Sequence, residues 1–257
     1  MSDAIWDGIR AEVAEEASRE PILASFLHAT VLGHDRLEDA LSFLLAAKLE
    51  SPTLPAMLLR EVIDDATAKS PEIGEAVRAD LHAAKTRDPA CTDLCVPFLY
   101  AKGFHALQSY RIAHWLFGEG RRGLALHLQN RISEVFGVDI HPAARIGRGI
   151  LIDHGTSVVI GETAVVGDDV SMLHEVTLGG TGKEVGDRHP KIHRGVLISS
   201  GAKVLGNVTV GEGAKIGAGS VVLEDVPPHV TVAGVPAQVV GTPDADEPAL
   251  EMDHRLR

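Results

Sequence analysis

From Ile140 to Val226 an aliphatic residue returns at every sixth position, a spacing that few folds can use. Ile192, Ile198, Val204, Val210, Ile216 and Val222 follow one another without a miss. Ile160, Val166, Met172 and Leu178 hold the same period before them, and Ile140, Ile146 and Ile152 open it. Four places after each aliphatic residue stands a small or β-branched one, as at Ala144, Val170, Val196, Ala202, Ala214 and Ser220. Glycine often follows the aliphatic residue directly, as at Gly147, Gly161, Gly167, Gly211 and Gly217.

A six-residue period fits neither the 3.6 of an amphipathic helix nor a simple array of hairpins. It fits short strands with a bend after each. Residues two apart share a strand face, so each aliphatic residue points inward with the small residue two places before it. Hexads of this kind mark a parallel β-helix. If three hexads close one triangular turn, a coil takes about eighteen residues and coils stack about 4.8 Å apart. A meander of valine-rich strands is the alternative, and six in-phase hexads argue against it.

The rhythm slips twice. Fourteen positions separate Leu178 from Ile192, read as two hexads plus two residues, and the polar stretch GGTGKEVGDRHPK fills them. Long loops on a rigid scaffold commonly carry function. This one holds Lys183, Asp187, Arg188 and His189, and an Arg-His pair beside a proline suits an anion. A smaller slip of two residues follows DHGTS, between Ile152 and Ile160.

Residues 1–137 read as six or seven helices with short breaks, a bundle suited to packing or assembly. The first has an N-cap at Ser2 or Asp3; later ones span Arg36 to Leu49, Pro55 to Ala68, Pro71 to Lys85, Phe104 to Leu116 and Leu124 to Phe136. The expected domains are therefore an α-helical assembly region over 1–137, a β-helix over 138–241 and a flexible tail over 242–257. Within the second, the stretch PPHVTVAGVPAQVVG is placed to close the open end of the prism.

Only 4% of the chain is aromatic, which suits a narrow prism filled by Val, Ile and Ala. A net charge of -12 disfavours a nucleic-acid partner. No apolar run approaches the roughly 20 residues of a membrane span, and the acidic, amphipathic start is unlike a signal peptide. The expectation is a cytoplasmic protein without a membrane partner. Cys91 and Cys95 lack a second ligand pair for zinc and read as free thiols. His28, His34, His82, His105, His114 and His127 are scattered singly and read as ordinary surface or core histidines.

Asp153 and His154 lie together in the hexad IDHGTS. An imidazole titrating near neutrality can act as a general base, and a carboxylate on its other nitrogen can orient it. Asp139, in VDIHP, is one candidate for that orienting role. Ideal register places it on the same face one coil away but displaced along the strand, so the pairing needs an irregularity at the start of the β-helix.

RDPA at 87–90, KGFHALQSYRIAHWL at 102–116, VDIHPAARIGRGILIDHGT at 138–156, TLGGTGK at 177–183, DRHPKI at 187–192, GAGSVV and AGVPA together resemble the serine O-acetyltransferase family. The match covers nearly the whole chain to about Gly241. The resemblance implies an α+β fold, an N-terminal α-helical domain followed by a left-handed parallel β-helix of hexapeptide repeats. It implies homotrimers that pair into a hexamer, a dimer of trimers. The implied reaction moves acetyl directly from acetyl-CoA, as co-substrate, to the hydroxyl of L-serine, giving O-acetylserine on the route to cysteine, with no metal.

By the same resemblance His154 is the general base, Asp139 holds its ring, and His189 acts at the reaction centre. Arg188 takes the serine carboxylate, and Asp88 with Asp153 takes the ammonium. Gly180, Ser200, Gly201, Lys215 and Ala218 contact the CoA arm. The site is expected between neighbouring subunits, with L-cysteine as a feedback inhibitor at the serine position. Many members end in an aliphatic residue that inserts into O-acetylserine sulfhydrylase; this chain ends in Arg257, which argues against that partner.

Three rivals remain on sequence grounds. They are a hexapeptide acyltransferase with another acceptor, a β-helical zinc enzyme drawing on His141, His154, His174, His189 or His193, and a non-enzymatic scaffold.

Overall fold

The computed structural model describes residues 3–183 and 185–256 of the chain. Thirteen short strands wind into a triangular prism with three parallel faces. The first face stacks β1 (Val138–Ile140), β4 (Val158–Ile160), β7 (Thr177–Gly179), β10 (Lys203–Leu205) and β13 (Val221–Val222). The second stacks β2 (Arg145–Ile146), β5 (Val165–Val166), β8 (Lys191–Ile192) and β11 (Thr209–Val210). The third stacks β3 (Leu151–Ile152), β6 (Ser171–Met172), β9 (Leu197–Ile198) and β12 (Lys215–Ile216). The hairpin β14 (Thr231–Gly234) and β15 (Ala237–Gly241) continues that face and covers its edge.

The inward pairs are those that the hexads predict. Val158 and Ile160, Ala164 and Val166, Val170 and Met172, and Ala202 and Val204 are all buried. Register also locates both slips. Val159 pairs with Thr177, and Lys203 with Val221, eighteen positions apart. Val138 pairs with Val158, and Leu151 with Ser171, at twenty, so two residues are added between β3 and β4, where the DHGTS slip was read. Thr177 pairs with Lys203, and Ser171 with Leu197, at twenty-six. Leu178 and Ile192 sit on consecutive faces, so the polar stretch is one hexad step carrying a long excursion, not two hexads and two residues.

The helical region comprises α1 (Ala4–Arg19), a turn of mixed helix over 21–32 that includes α2 (Ala24–Leu27), α3 (Leu37–Leu49), α4 (Ala56–Lys69), α5 (Pro71–Arg87), α6 (Cys95–Tyr100), α7 (Lys102–Gly118) and α8 (Arg122–Phe136). Asp3 caps α1 by accepting from the Trp6 N–H; Ser2, the other expected cap, lies outside the described residues. The short α6, with Pro97 in its first turn, escapes sequence periodicity. Cys91 and Cys95 are free thiols, and burial beside Glu12 pushes the Cys95 thiol up to about 12.

Two devices dock the helices on the first coil. Asp80 of α5, fully buried, accepts from Gln108 Nε2 (2.9 Å), Arg111 Nη2 (2.7 Å) and the Ile150 N–H (2.8 Å). Arg111 also donates to the Gly147 carbonyl, and Tyr110 to that of Ala144. At the start of α7 a Cβ on Gly103 would lie 2.1 Å from the Ile152 carbonyl oxygen, so only glycine allows this approach.

The tail differs from expectation. It folds back over the third face through α9 (Pro248–Glu251), with Pro248 and Ala249 buried and the Ala249 carbonyl accepting from Ser171 Oγ (2.8 Å). His254 Nδ1 lies 2.9 Å from Ser199 Oγ, and Lys215 Nζ donates to the Arg255 carbonyl (2.7 Å). Few apolar side chains are needed because the face itself supplies polar partners. Arg257 lies outside the described residues. Among the described residues no helix is long and apolar enough to cross a membrane.

Candidate active site

His154 lies in the corner between the third and first faces, where the two added residues widen the first coil. Its φ of 58° is uncommon for a non-glycine residue. The same conformation recurs at Ser157, Asp169 and Glu175, so it belongs to the turns of the prism. The imidazole is largely exposed, with Nε2 3.8 Å from Asp153 Oδ2. Above it, the same corner carries His174 on the next coil, then Ser200 and Gly201, then Ala218 and Gly219. Backbone bonds stitch this column together: Glu175 N–H to the Thr156 carbonyl, Gly201 N–H to that of His174, and Gly219 N–H to that of Ser200. Gly201 and Gly219 take the positive φ that the corner demands. Lys102, at the start of α7, donates to Thr156 Oγ1 and ties the helical region to this corner.

Arg188 and His189 lie at a different edge, between the first and second faces. The His189 Nδ1 accepts from the Thr163 N–H (3.1 Å) and lies 2.8 Å from Thr163 Oγ1, so the ring proton sits on Nε2. Burial, then the neighbouring Arg188 charge, pushes its pKa down, which favours a neutral donor. Gly161 makes room for the ring: a Cβ there would lie 2.1 Å from His189 Nε2. Arg188 Nη2 donates to Glu162 Oε2 (2.8 Å), and that bond holds the Glu162 carboxyl below its ordinary value. Gly180 belongs to this edge: a Cβ there would lie within 4 Å of Arg188 and His189. Lys191 braces the loop by donating to Asp187 (2.6 Å).

The expected residues thus fall into two groups, separated by the width of a first-face strand, roughly 10 Å for three residues. Asp153, His154, Ser200, Gly201 and Ala218 share one edge; Gly180, Arg188 and His189 share the other. Asp139 points outward on the first face, registered with Val159 and bonded to Gln129 Nε2 (2.7 Å); no hydrogen bond joins it to His154. The widening of the first coil supplies the expected irregularity but brings Asp153, not Asp139, beside the ring. Asp88 follows Arg87 at the end of α5 and accepts from the Ala90 N–H (2.8 Å). Arg87 in turn binds Asp169 and Ser171 on the prism. Lys215 is buried on the third face beneath the tail.

Sequence reasoning did not single out Glu162 and Thr163, which follow β4 and hold both Arg188 and His189. The 490 Å³ cavity between α5, α7 and β2, lined by Tyr110, Arg111, His114 and Trp115, holds none of the expected residues. Both expected edges are open in a single chain. Among the described residues no group of three or more His, Cys, Asp or Glu could hold a metal.

Comparison with known proteins decides the family. Residues 5–109 match the model of the N-terminal region of serine acetyltransferase, and 189–224 match the bacterial transferase hexapeptide repeats. The serine acetyltransferase of Escherichia coli K12 is 59% identical over 254 residues, covering 99% of this chain and 93% of the relative. The chain belongs to the serine acetyltransferase family. It is an acyltransferase with acetyl-CoA as co-substrate. The crystal structure of the Vibrio cholerae serine acetyltransferase is 60% identical with a TM-score of 0.97, covering 98% of each chain. A serine acetyltransferase in complex with cysteine superimposes at a TM-score of 0.96 (54% identical, 98% of each chain). One from Brucella abortus in complex with coenzyme A does so at 0.93 (52% identical, 94% of this chain and 96% of that one).

Proposed function

We propose that the chain transfers acetyl directly from acetyl-CoA to the L-serine hydroxyl, with His154 as general base, on the route to cysteine. A protonated hydroxyl is a poor nucleophile, so a base at the attacking oxygen is the first requirement. The observation that carries the reading is the corner column. An exposed imidazole stands at its foot and the small residues Ser200, Gly201 and Ala218 above it, a smooth edge along which a pantetheine arm can lie. Asp153 lies 3.8 Å from the ring, and we assign ring orientation to Asp139, which would have to exchange its Gln129 bond for His154. Asp88 and Asp153 would take the ammonium of serine.

Arg188 would take the serine carboxylate through its planar fork, and His189 Nε2–H would donate at the reaction centre. They stand at another edge, so the site needs a second prism whose Arg188 edge meets the His154 edge of the first. Contact between unlike edges closes into a ring where the rotation allows it, and a trimer is the ring we propose. The exposed Ile22, Met57 and Leu58 of the helical region suit the pairing of two trimers into a hexamer. Gly180 would meet the CoA arm from the neighbouring edge, and Lys215 would do so from the third face once the tail that holds its Nζ is displaced. L-cysteine shares the carboxylate and ammonium of serine, which supports feedback inhibition at the same position. The two free thiols suit a reducing, cytoplasmic setting.

The test is acetyl-CoA consumption with L-serine, with and without L-cysteine, in the wild type and in His154→Ala. The expected result is serine-dependent turnover, inhibition by cysteine, and a loss of about 100-fold in kcat for the variant with assembly unchanged. Near-wild-type turnover in His154→Ala would remove the base from its role.

A further inference from the structure

His174 occupies the His154 corner one coil further along. Its ring packs edge-to-face against that of His154, centroids 5.7 Å apart, and its carbonyl accepts from the Gly201 N–H. It therefore stands between the exposed imidazole and the small residues of the column. Its Nδ1 is buried without a hydrogen-bond partner. A buried N–H without an acceptor is rarer and costlier than an unused lone pair. The single proton of the neutral ring thus belongs on Nε2, leaving Nε2–H as the donor this side chain offers.

An acyl donor whose arm lies along Ser200, Gly201 and Ala218, and whose carbonyl is attacked beside His154, has its thioester against His174. We propose that His174 is a further catalytic residue, its Nε2–H donating to the thioester oxygen as negative charge gathers there. The inference rests on the acetyl-transfer reading above. As the serine oxygen bonds to the carbonyl carbon, its proton passes to His154 and the π pair moves onto the carbonyl oxygen, where His174 meets it. On collapse the C=O bond re-forms and the C–S bond breaks with its pair on sulfur. The proton held by His154 then returns to that thiolate, giving CoA and the ester. His189 from the neighbouring prism would be the second donor.

The experiment compares full-length His174→Ala and His174→Gln with the wild type, measuring kcat, KM for L-serine and acetyl-CoA, and CoA affinity by calorimetry. Loss of one such donor should lower kcat about 100-fold in His174→Ala. KM for serine should stay within about twofold, and CoA affinity should not change, because CoA has no thioester carbonyl. Glutamine keeps an N–H donor and should recover about tenfold of the loss. If the alanine variant melts early, His174→Leu fills the space and serves instead. The proposal is overturned if alanine keeps kcat within about twofold, if glutamine is as impaired as alanine, or if CoA affinity falls in parallel with kcat. His154→Ala runs alongside. Serine acetylation that needs His154 but not His174 sinks this inference alone, whereas a wild type that does not acetylate serine sinks the reading beneath it.

Discussion

Along its axis the prism stacks little but aliphatic side chains, Ile160 on Leu178 on Val204 on Val222, all buried. The helical region instead buries Asp80, His105, Gln108 and Arg111 among its leucines. A stack of apolar rungs loses little more than local contacts when one is trimmed. A buried ionic network loses far more, because each member left behind is an uncompensated charge or dipole. The mutational and pH sensitivity of the chain should therefore lie in the region that carries neither the proposed base nor its partner donors, at its junction with the first coil.

The largest expected effect is at Asp80. Burial pushes its carboxyl up, against the pull of the Arg111 guanidinium, and the pair is held by the Gln108 and Ile150 donors. Asp80→Ala should cost about 3–5 kcal/mol in urea unfolding, because it strands Arg111. A cost below about 1 kcal/mol would mean the network does not dock the helices.

Next comes His105, buried with Nε2 2.7 Å from the Phe98 carbonyl. Burial holds its pKa down to about 4, against 6.5 for the ordinary imidazole. The unfolded chain binds the extra proton first, so this contribution falls away as pH drops from about 6.5 towards 4, by on the order of 3 kcal/mol. Urea melts at pH 7 and 4.5 should show the slope, and His105→Leu should flatten it. An unchanged slope would place the acid sensitivity elsewhere.

The smallest effect is in the prism. Ile198→Val should cost about 1 kcal/mol, equally at both pH values. A prism variant as costly or as pH-sensitive as Asp80→Ala would dissolve the contrast.

The prism was legible because every inward residue repeats at one period, and the two-residue slip at DHGTS could be placed to within a hexad. The length of the Leu178–Ile192 excursion could not be divided correctly, since count alone does not tell a loop from another strand. Nothing in the sequence sets Asp80 and Arg111 apart from other helix charges; it is the docking on Ile150 and Gly147 that makes them interior. Asp139 is paired with Gln129 of α8 in the single chain, a partner that no spacing in the sequence announces. The tail read as mobile because its composition is polar, yet Ser171, Ser199 and Lys215 on the third face supply what such a segment needs. The resemblance put the site between subunits, but only the register shows which candidate residue stands at which edge.

That division is the central claim, and subunit mixing tests it most directly. His154→Ala and Arg188→Ala protomers, each inactive alone, would be co-refolded in equal amounts and assayed for serine acetylation. If the site joins the His154 edge of one chain to the Arg188 edge of the next, about a quarter of the sites in a random ring carry both intact edges. Activity should rise towards that fraction of wild type. A mixture no more active than its separate components would mean that one chain builds the site alone.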